Sequence, residues 1–337
     1  MPHSVAAFTE RTGLPPRALT ALRGRLLRWY GAHQRELPWR GISDPYCTWV
    51  SEIMLQQTRV AAVLEHYERF LRRFPSPEAL ARAPESAVLA VWSGLGYYRR
   101  ARLLHRAARE IVRQREGVFP ITAAEWQQLP GIGRYTAAAI ASIAFAEPVA
   151  VVDGNVERIL RRLFELNGSS PRGLWDVAEH LLCHENPGDF NQAMMELGAT
   201  ICLPVTPLCP QCPIARWCRV GQAPRLSATK AEAAVPSEKR HRRAIAYALA
   251  LRNGCLRLRR RPDSESLMPG MWELPPAAGG NLRPAAVFRH SITTTDYRVR
   301  VVKAASRGGE WVPLHRLSRL PLTGLTRKIL RHFRIIQ

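Results

Sequence analysis

The sequence predicts a mainly helical protein: an all-helical core over residues 1–220, a linker at 221–243 and a small α+β domain over 244–337. Three observations predict it. Apolar residues recur at helical spacing up to residue 220, with no strand-like run until well past residue 240. A proline-rich loop holding four cysteines ends the helical part. Past a stretch rich in Ala, Pro, Lys and Arg, the period shortens to that of strands, with turns at Asn253-Gly254 and Gly279-Gly280.

Residues 1–20 show little pattern and read as a lead-in, and Leu22 to Tyr30 reads as the first helix. Leu37-Pro38-Trp39-Arg40 is a proline-stiffened loop with an indole beside a guanidinium, a pair that either stacks on a base or plugs the core. Asp44-Pro45 predicts a helix start, with Tyr46, Trp49, Val50 and Ile53 inward and Glu52 on the border of that stripe. A carboxyl against an apolar face holds its proton more tightly and so suits a general acid. The alternative for Glu52 is a rim residue with its head in water.

Thr58 reads as the cap of a helix bearing Val60, Leu64, Tyr67 and Leu71, and Pro75 to Pro84 as a connector. A short helix, Val88 to Trp92, ends at Ser93-Gly94-Leu95-Gly96-Tyr97-Tyr98-Arg99-Arg100. Aromatic tips on a basic turn suit wedging between bases; the plain alternative is a helix cap followed by core tyrosines. Arg102 to Arg115 reads as a basic amphipathic helix with a solvated face.

Leu129-Pro130-Gly131-Ile132-Gly133-Arg134-Tyr135-Thr136 then joins a tight glycine turn to an apolar helix, Thr136 to Phe145. Without Cβ atoms at Gly131 and Gly133, backbone amides can approach a phosphate oxygen where the helix dipole favours an anion. Asp153 returns a carboxylate near that ligand, or else Asp153 or Asn155 caps the next helix. That helix carries Val156, Ile159, Leu160 and Leu163 opposite Arg158, Arg161 and Arg162, and Phe190 to Met195 begins another.

Cys202, Cys209, Cys212 and Cys218 are separated by six, two and five intervening residues, among Pro204, Pro207, Pro210 and Pro213. Four thiols in so short a loop of a reducing compartment point to a metal site, zinc or a four-iron cluster. In the last domain Ala244 to Leu251, Cys255 to Leu258 and Tyr297 to Val302 read as strands and Leu325 to Phe333 as a helix.

A net charge of +22 from 49 Lys plus Arg against 27 Asp plus Glu calls for a polyanionic partner, nucleic acid before acidic membrane. No apolar run approaches about 18 residues and the start lacks a signal peptide's order, so a soluble, cytoplasmic protein with no membrane partner is expected.

Taken together, Leu-Pro-Trp-Arg (37–40), Ser-Glu-Ile-Met-Leu-Gln-Gln-Thr (51–58), Gly-Leu-Gly-Tyr-Tyr (94–98), Leu-Pro-Gly-Ile-Gly-Arg-Tyr-Thr (129–136), Val-Asp-Gly-Asn-Val (152–156), Phe-Asn-Gln-Ala-Met-Met (190–195) and the cysteine loop resemble the helix-hairpin-helix DNA glycosylases of the MutY type. The resemblance implies a two-lobed helical core with a helix-hairpin-helix at about 126–146, a [4Fe-4S] loop at 202–218 and a C-terminal Nudix-like domain. It implies a nucleoid-associated bacterial monomer that acts on double-stranded DNA. Adenine opposite 8-oxoguanine or guanine would be flipped out and released by a monofunctional glycosylase of base excision repair, because the bond is unreachable inside a duplex.

By the same resemblance Glu52 protonates adenine N7, Asp153 stabilises the positive sugar, and Tyr135 and Asn155 position them. Gln56 and Tyr97 wedge the stack, with Gln57 beside them on DNA; Gly131 and Gly133 grip the backbone; Trp39, Arg40 and Gln192 line the adenine pocket. Related lyases carry a lysine where this chain has Tyr135, and a phenol forms no Schiff base. The cluster ligands would be Cys202, Cys209, Cys212 and Cys218. Leu267 to Pro275 and Phe288-Arg289-His290 fit the Nudix-like domain, without a pyrophosphatase motif. Many members show Phe-Ser-His where this chain has Ile292-Thr293-Thr294, so Thr293 or Thr294 would offer the hydroxyl for the opposite base.

Overall fold

The computed structural model describes residues 12–166, 168–222, 240–278, 283–292, 294–303, 306 and 308–336. In chain order its helices are α1 (Pro16–His33), α2 (Pro45–Leu55), α3 (Val60–Arg73), α4 (Pro77–Arg82), α5 (Glu85–Trp92), α6 (Tyr98–Gln114), α7 (Ala123–Trp126), α8 (Arg134–Phe145), α9 (Gly154–Phe164), α10 (Pro171–Leu181), α11 (Pro187–Thr200) and α12 (Arg219–Gln222). Strands β1 (His241–Ala248), β2 (Leu251–Arg252), β3 (Cys255–Arg260), β4 (Trp272–Glu273), β5 (Ala286–Ile292), β6 (Thr295–Val302) and β7 (Glu310–Pro313) follow, and α13 (Gly324–His332) closes the chain. Contacts gather these elements into two compact units, Met1–Gln56 with Arg113–Ala234 and Gln57–Val112 with Val235–Gln337, a grouping discontinuous in sequence.

In the first unit the apolar stripes of α1, α9, α10 and α11 close on one core that includes Leu22, Leu26, Ile159, Leu163, Leu174 and Leu197. The stretch Thr136–Ser142 of α8 is buried on every side, as its Ala and Ile composition requires. A second aromatic nucleus joins Trp49 of α2 to Trp126 of α7 at 5.6 Å, and Phe119 stacks on Trp126 at 5.8 Å. Asp44 caps α2 by accepting from the Tyr46 amide at 2.8 Å, with Pro45 at the first helical position, as read from the sequence. The first helix begins earlier than its periodicity suggested, since Pro16 is also compatible with a first turn and Leu19 already packs on the core.

In the second unit Trp92 is fully buried against Phe70, ring centres 5.8 Å apart. Thr58 does not cap α3, whose cap residue Arg59 makes no side-chain bond; the Thr58 hydroxyl instead accepts from Arg100 at 2.8 Å. The Pro75–Pro84 connector contains α4, capped by Ser76. The C-terminal strands form two sheets. In one, β6 lies between β1, parallel to it, and β5, antiparallel; in the other, β3 pairs with β2, β4 and β7. Leu256, Leu258, Val299, Val301, Ile329 and Leu330 fill the core under them. The linker lies mostly in residues 223–239, outside the described residues, as does Gly279-Gly280. No helix among the described residues is long and apolar enough to cross a membrane.

Candidate active site

Three elements of the first unit bring Glu52, Tyr135 and Asp153 into one electrostatic neighbourhood. Glu52 sits on the last turns of α2 and is 6% exposed, so the border position read from the helical stripe becomes a burial once α8 packs across α2. Burial raises its carboxyl from an ordinary 4.5 to about 7; the Tyr135 hydroxyl bonded to it pulls the other way, and Asp153 adds to the rise. Its Oε2 is buried without a hydrogen-bond partner. Tyr135, in the first turn of α8, has its Oη 3.1 Å from Met195 Sδ of α11, and burial with Glu52 and Asp153 raises its own proton affinity. A phenol so placed stays neutral.

Asp153 is both of the things the sequence allowed. It caps α9, accepting from the amides of Asn155 at 2.9 Å and Val156 at 2.7 Å, and it also takes 3.1 Å from Asn155 Nδ2. Burial raises its carboxyl, and these three N–H groups oppose the rise by favouring the anion. The segment that delivers it is pinned by Asn191, which accepts from the Val151 amide at 3.2 Å and donates at 2.9 Å to both the Val149 carbonyl and Ser142 Oγ.

Asn155 is held from its far side by Arg158, whose Nη2 donates to Asn155 Oδ1 at 2.9 Å and to the Gly198 carbonyl at 2.8 Å. The same guanidinium reaches the Cys202 carbonyl at 2.8 Å, which ties α9 to the start of the cysteine loop. Gly198 of α11 packs so closely that an added Cβ would stand 2.5 Å from Asn155 Cβ. Arg158, Asn191, Met195 and Gly198 are site-building residues that the sequence reading left unassigned. The Phe-Asn-Gln-Ala-Met-Met run, which holds Asn191 and Met195, was the available signal, whereas Arg158 reads from the sequence as part of a solvated face.

The glycine turn precedes α8 as expected. Gly131 has φ +80°, a backbone that favours glycine, whereas Gly133 is extended with nothing within 4 Å of a would-be Cβ. No side chain caps the amino end of α8, an arrangement that suits an anion. Gln56 ends α2 and donates to Thr136 Oγ1 at 3.0 Å. Trp39 is buried, and Arg40 donates to Glu196 at 2.6 Å while its guanidinium lies 5.4 Å from the Tyr30 ring centre. Glu196 is fully buried; burial would raise it, but bonds from Arg35 and Arg40 bring it down to about 2. Gln192 is half-buried on α11.

In the second unit Gln57 is exposed at φ +54°, and Tyr97 is 52% exposed at φ +47° with the Arg100 guanidinium 5.2 Å from its ring centre. Thr294 lies exposed at the tip of the β5–β6 hairpin, where its carbonyl accepts from the His241 amide at 2.9 Å; Thr293 lies outside the described residues.

Cys202, Cys209, Cys212 and Cys218 all line one small cavity of about 40 Å³ together with Arg162, Ile201 and Val220. Arg162 Nη1 lies 3.4 Å from Cys202 Sγ and the Gly221 amide 3.4 Å from Cys218 Sγ, N–H contacts that favour thiolates. Burial, with the negative charge of the neighbouring sulfurs, pushes the Cys212 thiol up to about 11. Among the described residues no three or more His, Cys, Asp or Glu side chains converge on a single-ion site.

A buried acid, a capped carboxylate and a helix amino end without a side-chain cap after a glycine turn thus stand together in the first unit. Residues 50–179 match the model of the HhH-GPD superfamily base excision DNA repair protein, which supports the MutY-type resemblance of the motifs. It is 48% identical over 219 residues to the adenine DNA glycosylase of Mus musculus, covering 60% of this chain and 42% of the relative. To the adenine DNA glycosylase of Arabidopsis thaliana it is 36% identical over 314 residues, covering 80% and 50%. The chain spans about half the length of the curated relatives it matches. Among solved structures, a thermostable thymine-DNA glycosylase superposes with TM-score 0.56 at 29% identity, covering 60% of this chain and 96% of that one. An endonuclease III bound non-covalently to DNA gives TM-score 0.54 at 24% identity, covering 62% and 97%, a likeness of fold.

Proposed function

We propose that this chain is a monofunctional DNA glycosylase that removes adenine mispaired with 8-oxoguanine or guanine. The observation that carries the reading is Glu52: a buried carboxyl, held near pKa 7, with one oxygen free of any partner. Such a group keeps its proton until a base nitrogen accepts it, and protonation at adenine N7 makes the leaving group neutral. Asp153, fixed by the amino end of α9 and by Asn155, meets the positive charge that develops on the sugar. Tyr135 orients the acid, and the sugar-proximal position occupied by a phenol supports hydrolysis without a Schiff base.

The glycine turn would grip a phosphate and Gln56, Gln57 and Tyr97 would enter the base stack. Trp39, buried, and Arg40, engaged by Glu196, would form the wall behind Gln192 in the adenine pocket. The four cysteines would hold a [4Fe-4S] cluster: thiols spread around a shared cavity, with N–H donors at two sulfurs, suit a polynuclear centre. When bound, the cluster would brace the loop against α9 through Cys202 and Arg158. Residues 244–337 would be the Nudix-like domain, offering Thr293 or Thr294 to the opposite base.

A duplex panel tests the reading, with adenine opposite 8-oxoguanine, guanine, cytosine and thymine, and thymine opposite guanine. Adenine release from the first two, abolished in Glu52→Gln with mispair binding kept, is the expected result. Release of thymine, or efficient borohydride trapping of covalent DNA, would contradict it.

A further inference from the structure

Within the second unit, the loop that carries exposed Tyr97 is anchored on residues of the C-terminal domain. Ser93 has no solvent exposure; its hydroxyl donates to the Leu322 carbonyl at 2.6 Å and accepts from Arg327 Nε at 3.2 Å. Tyr98 Oη donates to the same carbonyl at 3.3 Å. Gly94 follows at φ +112°, where an added Cβ would stand 3.0 Å from His66 Nε2 and 3.6 Å from Arg327 Cδ. The far end of the loop is held by the helices: Trp92 Nε1 donates to the Gly96 carbonyl at 3.1 Å, and Arg100 stacks between the Trp92 and Tyr97 rings while donating to Thr58.

Leu322 is itself a fixed point. It is 1% exposed and bridges to Trp272, whose amide donates to the Pro321 carbonyl at 2.8 Å and whose carbonyl accepts from the Thr323 amide at 2.9 Å. Arg102 adds a second strut, donating to the Pro269 carbonyl at 2.6 Å. A shift of the β-rich part of this unit therefore reaches the base of Tyr97 through Leu322 and Arg327.

We propose that the C-terminal domain aims the wedge: Ser93, held between Leu322 and Arg327, fixes the position from which Tyr97 enters the duplex. Arg327 is then a positioning residue that couples inspection of the opposite base to extrusion of the target nucleotide. This rests on the reading of Tyr97 as a wedge given above and deepens it.

The test uses the full chain with Arg327→Ala, Arg327→Lys and Ser93→Ala, and Tyr97→Ala as the reference for a lost wedge. A duplex carrying 2-aminopurine beside the mispair reports unstacking by its fluorescence, independently of any cleavage. Arg327→Ala and Ser93→Ala should lose the fluorescence rise, and their preference for mispaired over paired duplex should fall about tenfold, the effect of one lost charge-assisted hydrogen bond. Melting should stay cooperative, lowered by only a few degrees, binding to paired duplex should hold, and Arg327→Lys should recover most of the signal. Wild-type fluorescence and preference in both variants would overturn the proposal. So would a collapsed melting transition in both, because the pair would then only hold the unit together. A wild-type chain that unstacks the duplex but releases no adenine would defeat the catalytic reading and leave this one standing.

Discussion

Replacing Glu52 by Gln should abolish adenine release and at the same time stabilise the protein at alkaline pH. The carboxyl is buried and its pKa is raised from 4.5 to about 7, so the folded state binds a proton that the unfolded chain has already given up. Below pH 4.5 both states are protonated and the group is neutral to stability. As pH rises through about 7 the folded state must ionise a buried carboxyl, and the stability present at low pH is lost. The full loss is roughly 3 kcal/mol, from about 1.4 kcal/mol for each pH interval separating the two values. Glutamine has the same shape and no charge, so Glu52→Gln lacks this slope. Urea denaturation of both proteins at pH 5, 6, 7 and 8 reads the difference, which should grow by about 2.5 kcal/mol in favour of the variant between pH 5 and pH 8. Wild-type single-turnover release should fall above pH 7 in parallel, as the acid form is depleted. Stability curves that run parallel with pH would refute the assignment of a protonated Glu52, whatever the variant's activity.

The remaining predictions concern how the site is held. Gly198→Ala should raise intrinsic helix propensity by about 1 kcal/mol, yet lower adenine release at least about tenfold, because the new methyl meets Asn155 Cβ at 2.5 Å; single-turnover kinetics with binding measured alongside separates the two effects. Purified protein should be brown and contain iron and sulfide in equal amounts, with both lost in Cys212→Ser; a colourless zinc protein would overturn the cluster assignment.

The local chemistry was legible because motifs write it in adjacent residues. Asp44-Pro45 caps α2, Gly131 takes the positive φ a tight turn demands, and Asp153 caps α9 within three residues of its own position. What failed were inferences that stopped at one element. Thr58 has the right residue type for a cap, but Arg100, 42 residues on, takes its hydroxyl. The pairing of β1 with β6 is parallel and joins residues more than 50 apart, a register no turn residue specifies, and β5 and β7 went unread beside it.

The arginines show the same limit from the side of charge. A residue such as Arg158 has a place on a helical wheel that predicts a solvated face, and the count of 49 basic residues invites that reading everywhere. Its guanidinium is instead spent on the carbonyls of Gly154, Gly198 and Cys202 and on Asn155, and Arg40 is drawn to a fully buried Glu196. Arg40, paired with Glu196, has its charge already compensated, whereas Arg158 keeps its charge but commits its N–H groups to neutral acceptors. Under the proposed function, the attraction for DNA comes from cations outside such ion pairs, and the slope of binding against salt should count those residues rather than the net charge of +22. Under that function, the arginines that hold the candidate site together and those that meet phosphate are two separate sets.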